Sequence, residues 1–476
     1  MLLLFNSFAY ILLFLPIAVI GIAALKRRFG PRAAQAGILL ASGVFYCWFK
    51  PVNVAYPVAS ILANWWLAQK IGRAPFPRNK RWLQLGLLLN ICYLSAFKYS
   101  NFLIGTLPFM RGHEHLLPDL DFPLGISFFT LTQVMYLVDC YEGTMQPASL
   151  FDHATFVSFF PYVISGPIAR ASRTVPQFAY SGGVNGVTKE QVARGLYLFS
   201  IGLLKKVVLA EGFSHVANYG FETANNRSTL EVLVFTCAYA MQIYFDFSGY
   251  SDMAIGSAGM LGIEIPRNFD MPFRAKSIIE FWQRWHISLT AFITTYLYTP
   301  ILRSFKRPTI VAASFSTIAA MAVAGLWHGP SWTFVLFGLV HGIALAINQI
   351  WRKKQLPKLP AWLSWMATFA LVNVAFIFFR SATIGNAMKL LGELFDIRHA
   401  FGMTNLSVMH VTVNYPIFGL PVALGLLAAF VGKSSEQAAR EFNPTAWSSP
   451  LTACALLISF LYMNSQVAAD FIYFKF

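Results

Sequence analysis

His328 stands in the segment GLWHGPSW (residues 325–332), where one apolar stretch ends at Trp327 and another begins at Trp332. Gly329 and Pro330 force a turn there, so the imidazole is expected at a helix end. An imidazole is costly in hydrocarbon unless it faces a cavity or a partner. In such a cavity, the neutral ring accepts a proton from a hydroxyl nucleophile. The other reading is an interfacial histidine between two belt tryptophans, Trp327 and Trp332. His286 lies in FWQRWHISLT (281–290), flanked by Trp282, Arg284 and Trp285. It is either a second polar group on the same reaction path or part of an interfacial anchor. Spacing alone does not say whether the two rings meet. His341 follows His328 by 13 residues and reads as a packing or polar-lining residue. His113, His115, His153, His215, His399 and His410 fall in loops or near segment ends and read as solvated or structural.

Acidic residues are sparse, and two cluster in YFDFSGYSD (244–252). Asp246 and Asp252 are expected to flank a polar Ser-Gly-Tyr-Ser turn directly after an apolar span. Asp246 then caps a helix, and Asp252 is left open between structural and functional roles. Four cations, Arg267, Arg274, Lys276 and Arg284, crowd the following loop and suit an anionic, phosphate-bearing donor. Trp327, adjoining His328, is a further candidate donor contact. The sequence contains no HExxH zinc site, GxSxG elbow or Walker loop. The expectation is therefore a histidine catalyst with no metal and no bound cofactor.

Those side chains must be held by apolar elements. Of 476 residues, 57% are hydrophobic and 12% charged, too few charges to cover a soluble fold, which averages roughly 25%. A crossing needs about 20 mostly apolar residues. Stretches 2–25, 193–210, 232–247, 309–327, 332–350, 361–379, 411–431 and 451–463 qualify with some trimming or tilt, and 54–67, 82–97 and 122–138 are shorter or more mixed. The fold class is an all-α polytopic membrane protein with about 11 or 12 crossings on this criterion. Stretch 151–176, broken by Pro161, Gly166 and Pro167, reads as a re-entrant segment, because interrupted backbone at membrane depth must line protein or water. Residues 387–395 suit an interfacial helix.

The net charge of +16 collects in short loops: Lys70, Arg73, Arg78, Lys80 and Arg81, then residues 267–284, then Arg352, Lys353, Lys354 and Lys358. This obeys the positive-inside rule and favours anionic lipid. It does not suit nucleic acid, for which no recognition motif is present. Lys26, Arg27, Arg28 and Arg32 follow the first apolar stretch rather than preceding it. A retained helix with its basic end in the cytoplasm is expected. The five cysteines lie in or beside apolar segments without metal or disulfide spacing.

Six stretches in order carry a resemblance: FPLGISFFTLTQVMYLVDCY (122–141), FFPYVISGPIAR (159–170), GLLKKVVLAE (202–211), QIYFDFSGYSDMAIG (242–256), NFDMPFRAKSIIEFWQRWHISLT (268–290) and GLWHGPSWTFVLFGLVHG (325–342). With the closing FIYFKF (471–476), they resemble the bacterial polysaccharide-acetylating branch of the membrane-bound O-acyltransferase family. The resemblance implies one domain over residues 1–476, built as a ring of helices around a funnel. It implies catalysis by His328 with His286 as the second characteristic polar position. The implied reaction moves an acetyl group from a cytoplasmic thioester, acetyl-CoA or an acyl carrier, to an extracytoplasmic polysaccharide such as alginate. The implied setting is the bacterial inner membrane, with a periplasmic acetyltransferase as partner. One stretch departs from the pattern: ITTYLYTPILR (293–303) has Thr294 and Thr295 where relatives carry an Arg-Asp pair. That leaves the polymer and partner open. Two rivals stand beside this reading: D-alanyl transfer to teichoic acid, and a polysaccharide flippase or channel with no acyl chemistry.

Overall fold

The computed structural model describes residues 3–49, 51–72, 79–106, 123–180, 187–222, 227–396, 416–443 and 448–465. Arg73, Arg78, His113, His115, His399, His410, the start of the 411–431 stretch and the closing 471–476 motif lie outside the described residues. The described residues form helices and no strand. The principal ones are α1 (Ala9–Phe29), α2 (Pro31–Cys47), α3 (Ala55–Gly72), α4 (Lys80–Thr106), α5 (Ile126–Glu142), α6 (Leu150–Ser158), α7 (Ala171–Tyr180), α8 (Lys189–Leu204), α9 (Glu211–Glu222), α10 (Thr229–Met260), α11 (Ile278–Arg284), α12 (Ile287–Phe292), α13 (Ile310–His328), α14 (Trp332–Lys353), α15 (Ala361–Arg380), α16 (Ile384–Phe395), α17 (Pro416–Phe430) and α18 (Ser448–Ser465).

Six of them, α1, α4, α10, α13, α14 and α15, are long and apolar enough to cross a bilayer. Against the 11 or 12 crossings expected, α2, α3, α5 and α8 are 16 to 18 residues long, and α17 and α18 hold shorter apolar stretches. Leu12, Ile17 and Ile20 on α1 and Val311 and Phe315 on α13 are more than half exposed. Such surfaces are stable where lipid is the solvent. The protein is a multi-pass membrane protein.

Contacts divide the chain into two units. The first comprises Met1–Ile201, Tyr250–Arg267 and Ala439–Ala455. Its core is aromatic: Tyr10 packs against Phe5, Phe45, Phe160 and Phe199, and its hydroxyl donates to Ser257 Oγ at 3.0 Å. Asn64 on α3 and Asn90 on α4 exchange amide hydrogen bonds, the shorter at 2.6 Å, a way of joining helices that lipid does not compete for. The suspected re-entrant stretch is two short helices, α6 and α7, separated by a buried non-helical turn. His153 on α6 is fully buried and stacks on Tyr136 at 4.3 Å. It belongs to the structural alternative, not the solvated one.

The second unit comprises Gly202–Gly249, Asn268–Ala438 and the chain from Leu456. Here one expectation fails. Residues 244–252 form no turn, because α10 runs unbroken through them for 32 residues, about 48 Å of helix. It starts with a capping box, in which Ser228 and Glu231 bond each other's backbone N–H groups. It ends before Gly262, whose φ of 77° closes the terminus. Asp246 is therefore not a cap. It is a mid-helix carboxylate ion-paired with Lys206, both buried. Lys206 sits in a π-helical turn, Lys205–Ala210, that continues α8. Gly249 lets the helices close: a Cβ there would lie 2.6 Å from the Gly202 carbonyl oxygen.

Candidate functional site

The helix pair α13–α14 carries His328. Thr309 caps α13, accepting from Ala312 N, and Ser331 caps α14, accepting from Thr333 N. The chain reverses between them at Gly329-Pro330. The two backbones touch at glycines: a Cβ on Gly325 would stand 2.3 Å from Phe334 O, and one on Gly338 2.2 Å from Met321 O. Small residues permit this approach, and the approach fixes where the end of α13 lies. His328 is the last residue of α13 and is buried. Trp327, Phe337 and Phe379 surround its ring, with centroids 5.1, 6.0 and 5.3 Å away. The negative end of the helix dipole at this position favours a cation, a protonated imidazole included.

His286 is held by a different device. α11 is capped by Ser277, which accepts from Glu280 N, and Glu280 accepts in turn from Lys276 N. The helix breaks at His286, a non-glycine residue in the left-handed region with φ 43° and ψ 53°, a conformation that costs on the order of 1–3 kcal/mol unless surrounding contacts impose it. Asn268 imposes it. Its carbonyl accepts from Ile287 N at 2.9 Å, and its side-chain Oδ1 meets Ser288 Oγ at 2.6 Å, Ser288 N at 3.3 Å and His286 Nδ1 at 3.2 Å. A backbone N–H is only a donor, so the Ser288 contact identifies the amide oxygen. His286 Nδ1 must then carry the proton, leaving a lone pair on Nε2. That Nε2 is buried and has no hydrogen-bond partner among the described residues. Phe247 closes one side of the ring edge-on at 4.6 Å.

The two histidines influence each other electrostatically. Burial, and then the neighbouring charge of His328, hold His286 well below its usual pKa. Its ring is neutral. His341 is also fully buried, and its Nδ1 accepts from the Trp282 indole N–H at 3.2 Å. Phe337 touches both His341, at 4.7 Å, and His328.

The cations are less concentrated on the site than their sequence spacing suggests. Arg284 pairs with Glu280 at 2.9 Å and donates to Asp270 O, and Arg274 donates to Gly432 O. Lys276 and Arg267 are exposed, and Arg267 lies in the first unit. Asp252, also in the first unit, is buried on α10. It stands six residues after Asp246, which places it on another face of that helix. No group of three or more metal-ligating side chains occurs among the described residues. Sequence reasoning missed Asn268 and the Trp282–His341 bond, since each links residues far apart in the chain. The one sequence signal was the amide side chain at the head of the 268–290 motif.

This is a helical membrane protein with two buried imidazoles enclosed by aromatic rings. The chain matches the sequence model of MBOAT, the membrane-bound O-acyltransferase family, over residues 75–391. It belongs to that family and is an O-acyltransferase. It is 34% identical to a peptidoglycan O-acetyltransferase of Helicobacter pylori, over all of this chain and 98% of that one. It is 34% identical to a probable alginate O-acetylase of Azotobacter vinelandii, over 90% of this chain and 83% of that one. A teichoic acid D-alanyltransferase of Streptococcus thermophilus is 29% identical over 53% of this chain and 62% of its own.

Proposed function

We propose that the whole chain acts as one O-acetyltransferase of the bacterial inner membrane, passing acetyl groups from cytoplasmic acetyl-CoA toward an extracytoplasmic polysaccharide such as alginate. The observation that carries this reading is the electrostatically coupled His286–His328 pair, buried and enclosed by aromatic rings, with His286 held neutral. His328 takes the proton of the acceptor hydroxyl as its oxygen attacks the thioester carbonyl. The carbon–sulfur bond breaks, and the proton passes to the departing thiolate. A well-placed base contributes roughly 10²–10⁴-fold, and a dry site limits loss of the acyl group to hydrolysis. His286, presenting Nε2, orients the hydroxyl or supports His328. Arg274, Lys276 and Arg284 draw the anionic donor to the membrane face, and Trp327, beside His328, completes the donor path. A periplasmic acetyltransferase receives the acetyl group and modifies the polymer.

The coverage of the two O-acetylating relatives, against half the chain for the D-alanylating one, favours acetyl over D-alanyl transfer. The test is to release the esters from the cell-surface polymer with mild base and identify the acid. Acetate supports the reading, and D-alanine replaces it with the second. A purified, reconstituted protein that moves polymer without consuming acetyl-CoA refutes both.

A further inference from the structure

The reaction as proposed leaves the buried imidazoles of His153 and His341 unused. His341 is fully buried, yet its Nε2 has no hydrogen-bond partner among the described residues. Trp282 determines what that nitrogen is. An indole N–H only donates, so His341 Nδ1 must accept, and the ring's single proton therefore sits on Nε2. The ring cannot readily turn, because it lies parallel to Phe281 (interplanar angle 5°) and edge-on to Phe337. The protein thus holds a fixed N–H donor in an aromatic wall with no acceptor for it among the described residues. A buried donor without an acceptor carries a desolvation cost and marks a place where a ligand acceptor belongs.

Its position indicates which acceptor. Arg303, Lys306 and Arg307 precede α13, and Arg352 and Lys353 end α14, so the positive-inside rule puts those ends of the hairpin in the cytoplasm. His328 lies at the opposite, turn end, and His341 lies farther along α14 toward the cytoplasm. Phe337 spans the gap. Its ring centroid is 6.0 Å from that of His328 and 4.7 Å from that of His341. The two imidazole centroids are therefore no farther apart than these two distances laid end to end, a span that an extended flexible arm covers, and His341 comes first for anything arriving from the cytoplasm.

We infer that His341 Nε2–H is a donor-recognition site that binds an amide carbonyl of the pantetheine arm while the thioester at its tip meets His328. This rests on the acyl-transfer reading above. The amide-bearing arm is common to coenzyme A and to acyl carrier proteins, and the inference concerns that shared arm.

The experiment measures thiol release by the full-length protein in proteoliposomes. Three probes are compared: acetyl-CoA, acetyl-loaded acyl carrier protein, and S-propyl thioacetate, which has no amide. Wild type should prefer a pantetheine donor, and the two pantetheine arms show which source it accepts. His341→Phe keeps the ring packing and should lower kcat/KM for that donor about tenfold, mainly through KM, while leaving S-propyl thioacetate unchanged. His341→Gln, which restores an N–H donor, should recover part of the preference. If His341→Phe slows all probes alike, or changes kcat and not KM, the inference is overturned and the residue only supports the fold. Wild-type protein inert toward all three thioesters would instead overturn the acyl-transfer reading itself.

Discussion

Asn268 offers the sharpest test of the two-histidine site, because one amide oxygen meets three donors there. Asn268→Ala removes that acceptor from Ser288 Oγ, Ser288 N and His286 Nδ1. Each buried donor left unsatisfied costs about 1–3 kcal/mol. Water entering the vacated volume recovers part of this, so a net loss of roughly 3 kcal/mol is the expectation for three groups sharing one polar pocket. The effect on rate comes from the tautomer. With the acceptor gone, nothing holds the proton on Nδ1, and a bias of ~1.4 kcal/mol corresponds to a tenfold loss of productive enzyme. Asn268→Asp separates chemistry from folding. It keeps an oxygen acceptor but adds a charge that stabilises the imidazolium, so the pKa of His286 rises from its depressed position. The Nε2 lone pair is then lost at a higher pH, and the acidic limb of the pH–rate profile moves upward. The assay is base-released acetate from the surface polymer per unit of membrane-inserted protein, followed from pH 5 to pH 8. A folded Asn268→Ala enzyme with wild-type rate, together with an unmoved limb in Asn268→Asp, would refute the assignment of Nε2 as the working nitrogen.

Four further outcomes are expected. His328→Ala should abolish acetylation while membrane abundance stays normal, and His286→Ala should impair it; immunoblots beside acetate release decide. Asp246→Leu strands the buried Lys206 charge and should cost about 3–5 kcal/mol, which an added Lys206→Met recovers, read as thermal stability in detergent. Gly338→Ala sets a methyl against the Met321 carbonyl and should cost ~1–3 kcal/mol by overpacking, lowering both stability and rate. Burial takes His153 down to about 3 from an ordinary value near 6.5. The unfolded chain therefore binds a proton that the folded one refuses, and stability is complete above about pH 6.5 and declines as pH falls below it. His153→Phe should flatten that decline in pH-dependent melting curves.

The long apolar stretches were legible because lipid makes a simple demand: 309–327 and 361–379 read from sequence became α13 and α15, Ile310–His328 and Ala361–Arg380. The turn between His328 and Trp332 was legible for the same local reason, a Gly-Pro pair between two apolar runs. Residues 244–252 misled because Asp246, Ser248 and Gly249 look like a turn in isolation. Their helical state depends on Lys206 and Gly202, some 40 residues away, which neutralise the acid and accept the bare glycine face. The histidines were recognisable as chemistry, but their protonation was not. It is set by Asn268 for one ring and by Trp282, 59 residues distant, for another. Local sequence carries element type; the placement of protons is a long-range property.

The π-helical turn at Lys205–Ala210 has a consequence for how this region can vary. A widened turn holds one residue more than the α-helix it interrupts. Removing a single residue within it would restore regular winding and leave the flanking segments in phase, whereas a deletion in the regular helix beside it would rotate everything on one side by about 100° and swing the ammonium group away from its carboxylate. A one-residue deletion within this stretch that spares Lys206 should therefore be better tolerated than the same deletion one or two turns away.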